Sequence, residues 1–101
     1  MSPYVLSPEA VEDLLRIQDF ISSDNPPAAE RLIDEFFTAF EHLAEWPRSG
    51  HVRPELTSKD VLFWPIHAYL IVYRIREAEV LIQIVAVLHA ARDVPAILEE
   101  R

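Results

Sequence analysis

His89, Arg92 and Asp93 fall within five residues of one another where a long apolar run ends, and Arg74 stands among the apolar residues of the run before it. An imidazole near neutral pH can give or take a proton, and a guanidinium can grip a phosphate or carboxylate by two parallel hydrogen bonds. His89 and Arg92 are therefore the candidates for acid–base chemistry and anion binding. The structural alternative has His89 bonding a loop carbonyl, Arg92 pairing with a nearby acid and Asp93 capping the helix that follows. Arg74 carries a similar pair of readings, a recognition cation or an ion pair with Glu79 or a helix carboxylate. Charge at the centre of a sheet is costly unless paired or used, so function is sought here.

Other chemistries find no residues. His42, His51, His67 and His89 sit on unrelated segments without the short spacing that pre-organises a metal site, and there is no cysteine to act as a thiolate ligand. The single glycine leaves no Gly-rich phosphate loop and no Gly-x-Ser-x-Gly elbow. Neither a metal nor a cofactor is expected.

The residues that position these groups run from Ile66 to Asp93 and read as a β-hairpin, apolar on both faces. Glu77-Ala78 lacks the Asn-Gly chemistry of a tight turn. A four-residue connection from Arg76 to Glu79 is expected, with those two residues paired across its mouth. In that register Ile75 faces Val80, Tyr73 faces Ile82, Ile71 faces Ile84 and Tyr69 faces Ala86 on one side of the pleat. The other side sets Leu70 against Val85, Val72 against Gln83 and Arg74 against Leu81. The first face is assigned to helices and the second to a partner; a one-residue slip would exchange them.

Upstream, Pro3 to Leu6 is a short extended piece. Ser7-Pro8-Glu9 is a helix start: hydroxyl cap, proline in the first turn, carboxylate at the positive end of the dipole. Helix one should run to about Ser22, with Ala10, Leu14, Ile17 and Ile21 on its apolar stripe, Val11 and Leu15 beside it, and Glu12, Asp13, Arg16 and Asp19 facing out. Asn25 caps a second helix from Pro26 to about Glu45, whose stripe includes Leu32, Ile33, Phe36, Phe37, Phe40 and Leu43; Pro47 ends it. Pro47 to Thr57 is a loop. Asp60 to Ile66 is a strand whose Pro65 suits a strand end, and Val94 to Glu100 can form one or two helical turns. The expected architecture is α+β: a two-helix hairpin on one face of a small, largely antiparallel sheet, followed by a short C-terminal helix.

At 101 residues, half of them hydrophobic, the chain is read as one domain spanning residues 1–101. No apolar run is long enough to cross a membrane and no secretory leader is visible, so a cytoplasmic location is expected. The net charge of −8 arises wholly in residues 1–45, which hold ten acidic and two basic side chains, against seven of each in residues 46–101. An acidic surface gains nothing from counterion release, which argues against autonomous nucleic-acid binding. Arg48, Arg53, Lys59, Arg74 and Arg92 either converge into a local basic site or are scattered, solvated charges.

Six fragments occur in order: Leu6-Ser7-Pro8-Glu9-Ala10, Asp24-Asn25-Pro26, Trp46-Pro47-Arg48-Ser49-Gly50, Arg53-Pro54-Glu55-Leu56, Tyr69-Leu70-Ile71-Val72-Tyr73-Arg74 and Leu88-His89-Ala90-Ala91-Arg92-Asp93. Together they closely resemble the ParE branch of the RelE/ParE toxin superfamily. The resemblance implies the toxin of a bacterial type II toxin–antitoxin pair, with a two-helix hairpin against an antiparallel sheet. It also implies a hetero-oligomer with a ParD-like antitoxin that has a ribbon–helix–helix N-terminus and a disordered tail.

Two activities live in that superfamily. RelE-like members cut messenger RNA in the ribosome with basic side chains and often a C-terminal tyrosine; ParE-like members are non-nucleolytic inhibitors of DNA gyrase. After the strand tyrosine, where the ribonucleases usually place an arginine, this chain has Leu70. The segment after Arg92 offers Ile97 and Leu98 but no tyrosine, and strand 60–66 contains no basic residue beyond its acidic start. The chain also departs from ParE habit: Leu62 stands where a basic residue is common, and the helices are unusually acidic. The expectation is a non-catalytic gyrase inhibitor, with Leu70, Val72, Arg74, Gln83, Arg53, Trp64 and Arg92 on its partner- or target-binding surface. The alternatives are a ribosome-dependent endoribonuclease using His89 and Arg92, and an antitoxin-binding module with weak or no toxicity.

Overall fold

The computed structural model describes residues 3–101. A short strand β1 (Tyr4–Leu6) leads into helices α1 (Pro8–Ser22) and α2 (Pro26–Glu45). Strands β2 (Leu62–Ile66), β3 (Tyr69–Arg76) and β4 (Leu81–His89) follow, and then helix α3 (Val94–Glu99). The sheet order is β1-β4-β3-β2, antiparallel except where β1 runs parallel to β4. The helix starts form as their side chains dictate. Ser7 Oγ accepts from the Ala10 amide at 3.1 Å, Asn25 Oδ1 from the Ala28 amide at 3.1 Å, and a proline opens each helix after its cap. Pro65 lies in β2 at the sheet edge, where a missing donor is tolerated.

Two apolar layers sandwich the sheet. Phe36, Phe40 and Leu43 of α2 and Ala10 and Leu14 of α1 pack on Ile71, Tyr73, Ile82, Ile84 and Val87. On the opposite face Leu70, Val72, Ala86 and Leu88 are closed over by Val94 and Leu98 of α3 together with Val61 and Phe63. That second layer corrects the expectation that Leu70 and Val72 meet a partner: they are 7% and 0% exposed. The physical reason is that α3, one face of which is apolar, needs somewhere to bury it, and the far half of the sheet is the nearest apolar surface.

The hairpin register also differs from expectation. Ile75 pairs with Ile82, Arg74 with Gln83 and Tyr73 with Ile84, two residues further along β4 than expected, because the four-residue connection is Glu77–Val80 and not Arg76–Glu79. That connection consists of a 3-10 turn over Glu77–Glu79 and of Val80, which adopts a left-handed conformation at φ 54°. A shift of two keeps the faces. Beyond Tyr73 the ladder skips Val85, so that Val72 pairs with Ala86, Ile71 with Val87 and Tyr69 with His89. This bulge turns Ala86 and Leu88 to the α3 side and Val87 to the helical side. As expected, Arg76 and Glu79 pair across the turn, at 2.9 Å.

The bulge lies where β1 runs out. Ser7 donates its amide to Ile84 O at 3.0 Å and its hydroxyl to Val85 O at 3.2 Å. Past that point side chains take over from the strand: Asp13 Oδ2 accepts from the Val87 amide at 3.0 Å, and Arg101 Nη1 donates to Val85 O at 3.2 Å. Asp13 was expected to face solvent, yet it is 3% exposed. It is buried because it caps the open edge of β4 and is neutralised by Arg101, at 2.7 Å. That pairing holds the Arg101 guanidinium above its usual range.

Candidate functional site

The His89–Asp93 segment leaves β4 beside the C-terminal half of α1, and the two enclose a cleft of about 320 Å³. Ile17, Phe20, Tyr69 and Val87 form its apolar walls; Arg16, His89 and Arg92 supply its basic groups. The structure thus brings His89 and Arg92 to one site. His89 stacks edge-to-face on Tyr69 with ring centroids 5.2 Å apart, and Tyr69 meets Phe36 in the same way at 5.6 Å. His89 Nδ1 accepts from the Ala91 amide at 3.0 Å. The neutral ring therefore carries its proton on Nε2. The bond runs to a loop amide, whereas a loop carbonyl was expected. Asp93 does cap α3, accepting from the Ala96 amide at 3.3 Å. Arg92 is exposed, and among the described residues no carboxylate lies in ion-pair range of Arg16 or Arg92.

Of the cleft members that reading the sequence did not assign to a site, Phe20 and Arg16 are the two exposed ones. Phe20 is 77% exposed. Its signal was available: it lies one position off the Ala10–Leu14–Ile17–Ile21 stripe and one turn beyond Arg16, so a large apolar and a cationic side chain share a flank outside the core face.

Arg74 and Gln83 lie opposite each other on the other side of the sheet, in the half that α3 leaves uncovered. Arg74 lines two polar hollows there, one with Arg48, Asp60 and Glu77, the other with Ser7, Glu9, Gln83 and Arg101. It pairs with neither Glu79 nor a helix carboxylate; its Nε is buried without a hydrogen-bond partner among the described residues. Trp64 is elsewhere again, on the helical side of β2, where it stacks against His42 at 5.2 Å and lines a shallow groove with Asp34, Thr38 and Ile66.

The five cations do not converge on one site, although Arg48 and Arg74 line the same hollow. Arg48 pairs with Glu77 at 2.8 Å and Arg53 with Glu55 at 2.6 Å, holding the Glu55 carboxyl below its usual range. Lys59 caps the C-terminal end of α3 through Leu98 O at 2.6 Å and Glu99 O at 3.2 Å. Arg74 and Arg92 lie on opposite faces of the sheet. Among the described residues no helix is long and apolar enough to cross a membrane.

The comparisons with known proteins agree with this architecture. Residues 4–94 match the family described as the ParE toxin of the type II toxin–antitoxin system, parDE. The chain is 35% identical over 92 residues to Toxin RelE2 of Caulobacter vibrioides, covering 91% of this chain and 99% of that protein. It shares its fold with a chain of the chromosomal ParDE system from P. aeruginosa, at a TM-score of 0.72, 18% identity, and coverage of 88% of this chain and 96% of that one. A chain of the intact E. coli RelBE toxin–antitoxin complex superposes with a TM-score of 0.59 at 16% identity, covering 91% of this chain and 100% of that one.

Proposed function

This chain belongs to the ParE toxin family of type II toxin–antitoxin systems, and from that premise we propose that it is a non-catalytic inhibitor of DNA gyrase, active in the bacterial cytoplasm and silenced by a ParD-like antitoxin. The antitoxin's tail orders on binding across the helical hairpin and sheet, which suits a long, shallow surface.

One observation carries the non-catalytic part. A ribonuclease of this superfamily would be expected to hold cations in the 60–66 segment and after the strand tyrosine, and a tyrosine after Arg92; in those stretches this chain has Val61 and Phe63, Leu70, and Leu98. All four side chains lie in one closed apolar cluster. In-line attack by a 2′-hydroxyl needs a base, an acid and positive charge at the developing phosphorane. A hydrocarbon cluster provides none of these, and a substrate could reach it only by displacing α3. With Leu70 and Val72 buried, the candidate target surface contracts to Arg74 and Gln83 on the uncovered half of the sheet. Arg53, Trp64 and Arg92 remain separate points of contact. The test is gyrase supercoiling with purified chain, alongside the DNA-damage response of cells that express it. Supercoiling unaffected by the chain sinks the proposal.

The ribonuclease reading retains one favourable observation, the meeting of His89 and Arg92 in a cleft that also holds Arg16. It predicts transcript cleavage on translating ribosomes that Arg92→Ala abolishes. Identical transcripts with and without the chain exclude it.

A further inference from the structure

We propose that the cleft between α1 and the end of β4 is a docking slot for an acidic peptide segment of a partner protein. The segment places a large apolar side chain against Phe20 and Tyr69 and sets carboxylates against Arg16 and Arg92. The inference rests on reading this chain as a toxin that works through protein contacts, and it adds the sequence chemistry that one such contact selects.

Local charge is the first argument. The chain carries −8 overall and its first 45 residues hold only two basic side chains, yet one of those two, Arg16, lines this cleft together with Arg92 and His89. Among the described residues the one carboxylate in the lining, Asp13, is already matched by the Arg101 guanidinium at 2.7 Å and 3.1 Å. The slot is therefore a cationic island on an acidic protein, complementary to acidic and repellent to basic segments.

Apolar surface is the second argument. Phe20 is left 77% exposed at the rim, next to Ile17, Tyr69 and Val87, and covering such a side chain removes a large apolar area from water. An occupant that offered charge alone would leave that unused. A phosphate backbone, the other polyanion, would find apolar walls here and a net negative chain around them. The site's position is the third argument. Strand β1 covers β4 only from Ile82 to Ile84, and the Asp13 carboxylate takes the Val87 amide, so the slot opens where the sheet edge is no longer occupied by β1. Side chains already close that edge, so the occupant is held by the side chains of the cleft and not by strand pairing.

The test is selection of a random dodecapeptide display library on the purified chain, followed by affinity measurements on the enriched peptides. Peptides that combine Asp or Glu with Leu, Ile, Phe or Trp should dominate. Their binding should weaken at least tenfold in the double variant Arg16→Glu/Arg92→Glu and in Phe20→Ser, and should be unchanged in Arg31→Glu, which alters the other basic residue of the acidic half. All of these positions are exposed, so thermal unfolding should match that of the parent. On the unaltered chain, amide shifts caused by an enriched peptide should centre on Ile17, Tyr69 and His89. Enrichment of basic peptides, binding that survives both cleft variants, shifts centred elsewhere, or self-association abolished by Phe20→Ser would each overturn the inference. The gyrase assay is independent of these readouts. Inhibition without acidic-peptide binding removes this slot alone, and peptide binding without inhibition removes gyrase alone.

Discussion

The Arg101 guanidinium grips the Asp13 carboxylate in parallel, Nη1 to Oδ2 at 2.7 Å and Nη2 to Oδ1 at 3.1 Å, across 88 residues of sequence. The pair ties the residues after α3, on one side of the sheet, to α1 on the other, and does so over the edge of β4 that β1 leaves open.

Removing one member of such a pair strands the other with little solvent. Arg101→Ala should therefore destabilise the chain by on the order of 3 kcal/mol. Asp13→Ala should cost at least as much, because the Val87 amide loses its acceptor too. Urea unfolding of the single and double variants checks this. A double variant no worse than either single one would demonstrate the coupling.

Tyr73 donates its hydroxyl to Pro47 O at 2.6 Å and accepts from the Gly50 amide at 2.9 Å, pinning the loop after α2 to the sheet. Tyr73→Phe should cost about 1–2 kcal/mol and increase hydrogen exchange at Gly50. Burial, ahead of the opposing Gly50 hydrogen bond, raises the Tyr73 pKa above its ordinary 10. The contribution of this group to stability is thus fully present below pH 10. It falls as pH rises from there through the raised value, since the unfolded chain releases the proton first. Alkaline unfolding curves should show this leg in the parent and lose it in Tyr73→Phe.

Gly50 is required for space, its φ of −72° being ordinary for any residue. A Cβ there would stand 2.5 Å from the Tyr73 hydroxyl and 3.0 Å from Phe63 O. Gly50→Ala should destabilise by about 1–3 kcal/mol. Tyr73→Phe in the same chain should recover part of that loss, which denaturant midpoints of the three variants would reveal.

Leu70→Arg places an arginine after the strand tyrosine, as in the ribonucleases. The new charge would enter the cluster beneath α3, so loss of cooperative unfolding or release of α3 is expected, by several kcal/mol, and no gain of transcript cleavage. Cleavage of translated message by a folded Leu70→Arg chain would argue for a dormant active site on that face.

Arg74→Met separates function from fold. The Arg74 Nε has no partner among the described residues, and removing an unsatisfied buried donor is neutral or stabilising. The variant should unfold at or above the parent's denaturant midpoint while losing inhibition of its target.

The helices, the strands and their order were legible because each depends on neighbours in sequence: Ser7 and Asn25 cap, Pro8 and Pro26 start, Pro47 stops, and the spacing of Leu14, Ile17, Phe36 and Phe40 marks the buried faces. The helical side of β3 was readable for the same reason, since a shift of two in register leaves the face of Tyr69, Ile71 and Tyr73 unchanged. What closes the opposite face was not, because alternation marks a strand residue as apolar without naming its cover. Only the tertiary structure laid α3 over Leu70 and Val72, placed a bulge at Val85 that reversed the expected facing of Ala86, and turned Asp13 inward to meet Arg101. Those outcomes depend on contacts between residues far apart in the chain, where packing and charge neutralisation outweigh local pattern. Sequence by itself thus determined the elements and the family; tertiary contact decided which of their surfaces remain free to bind.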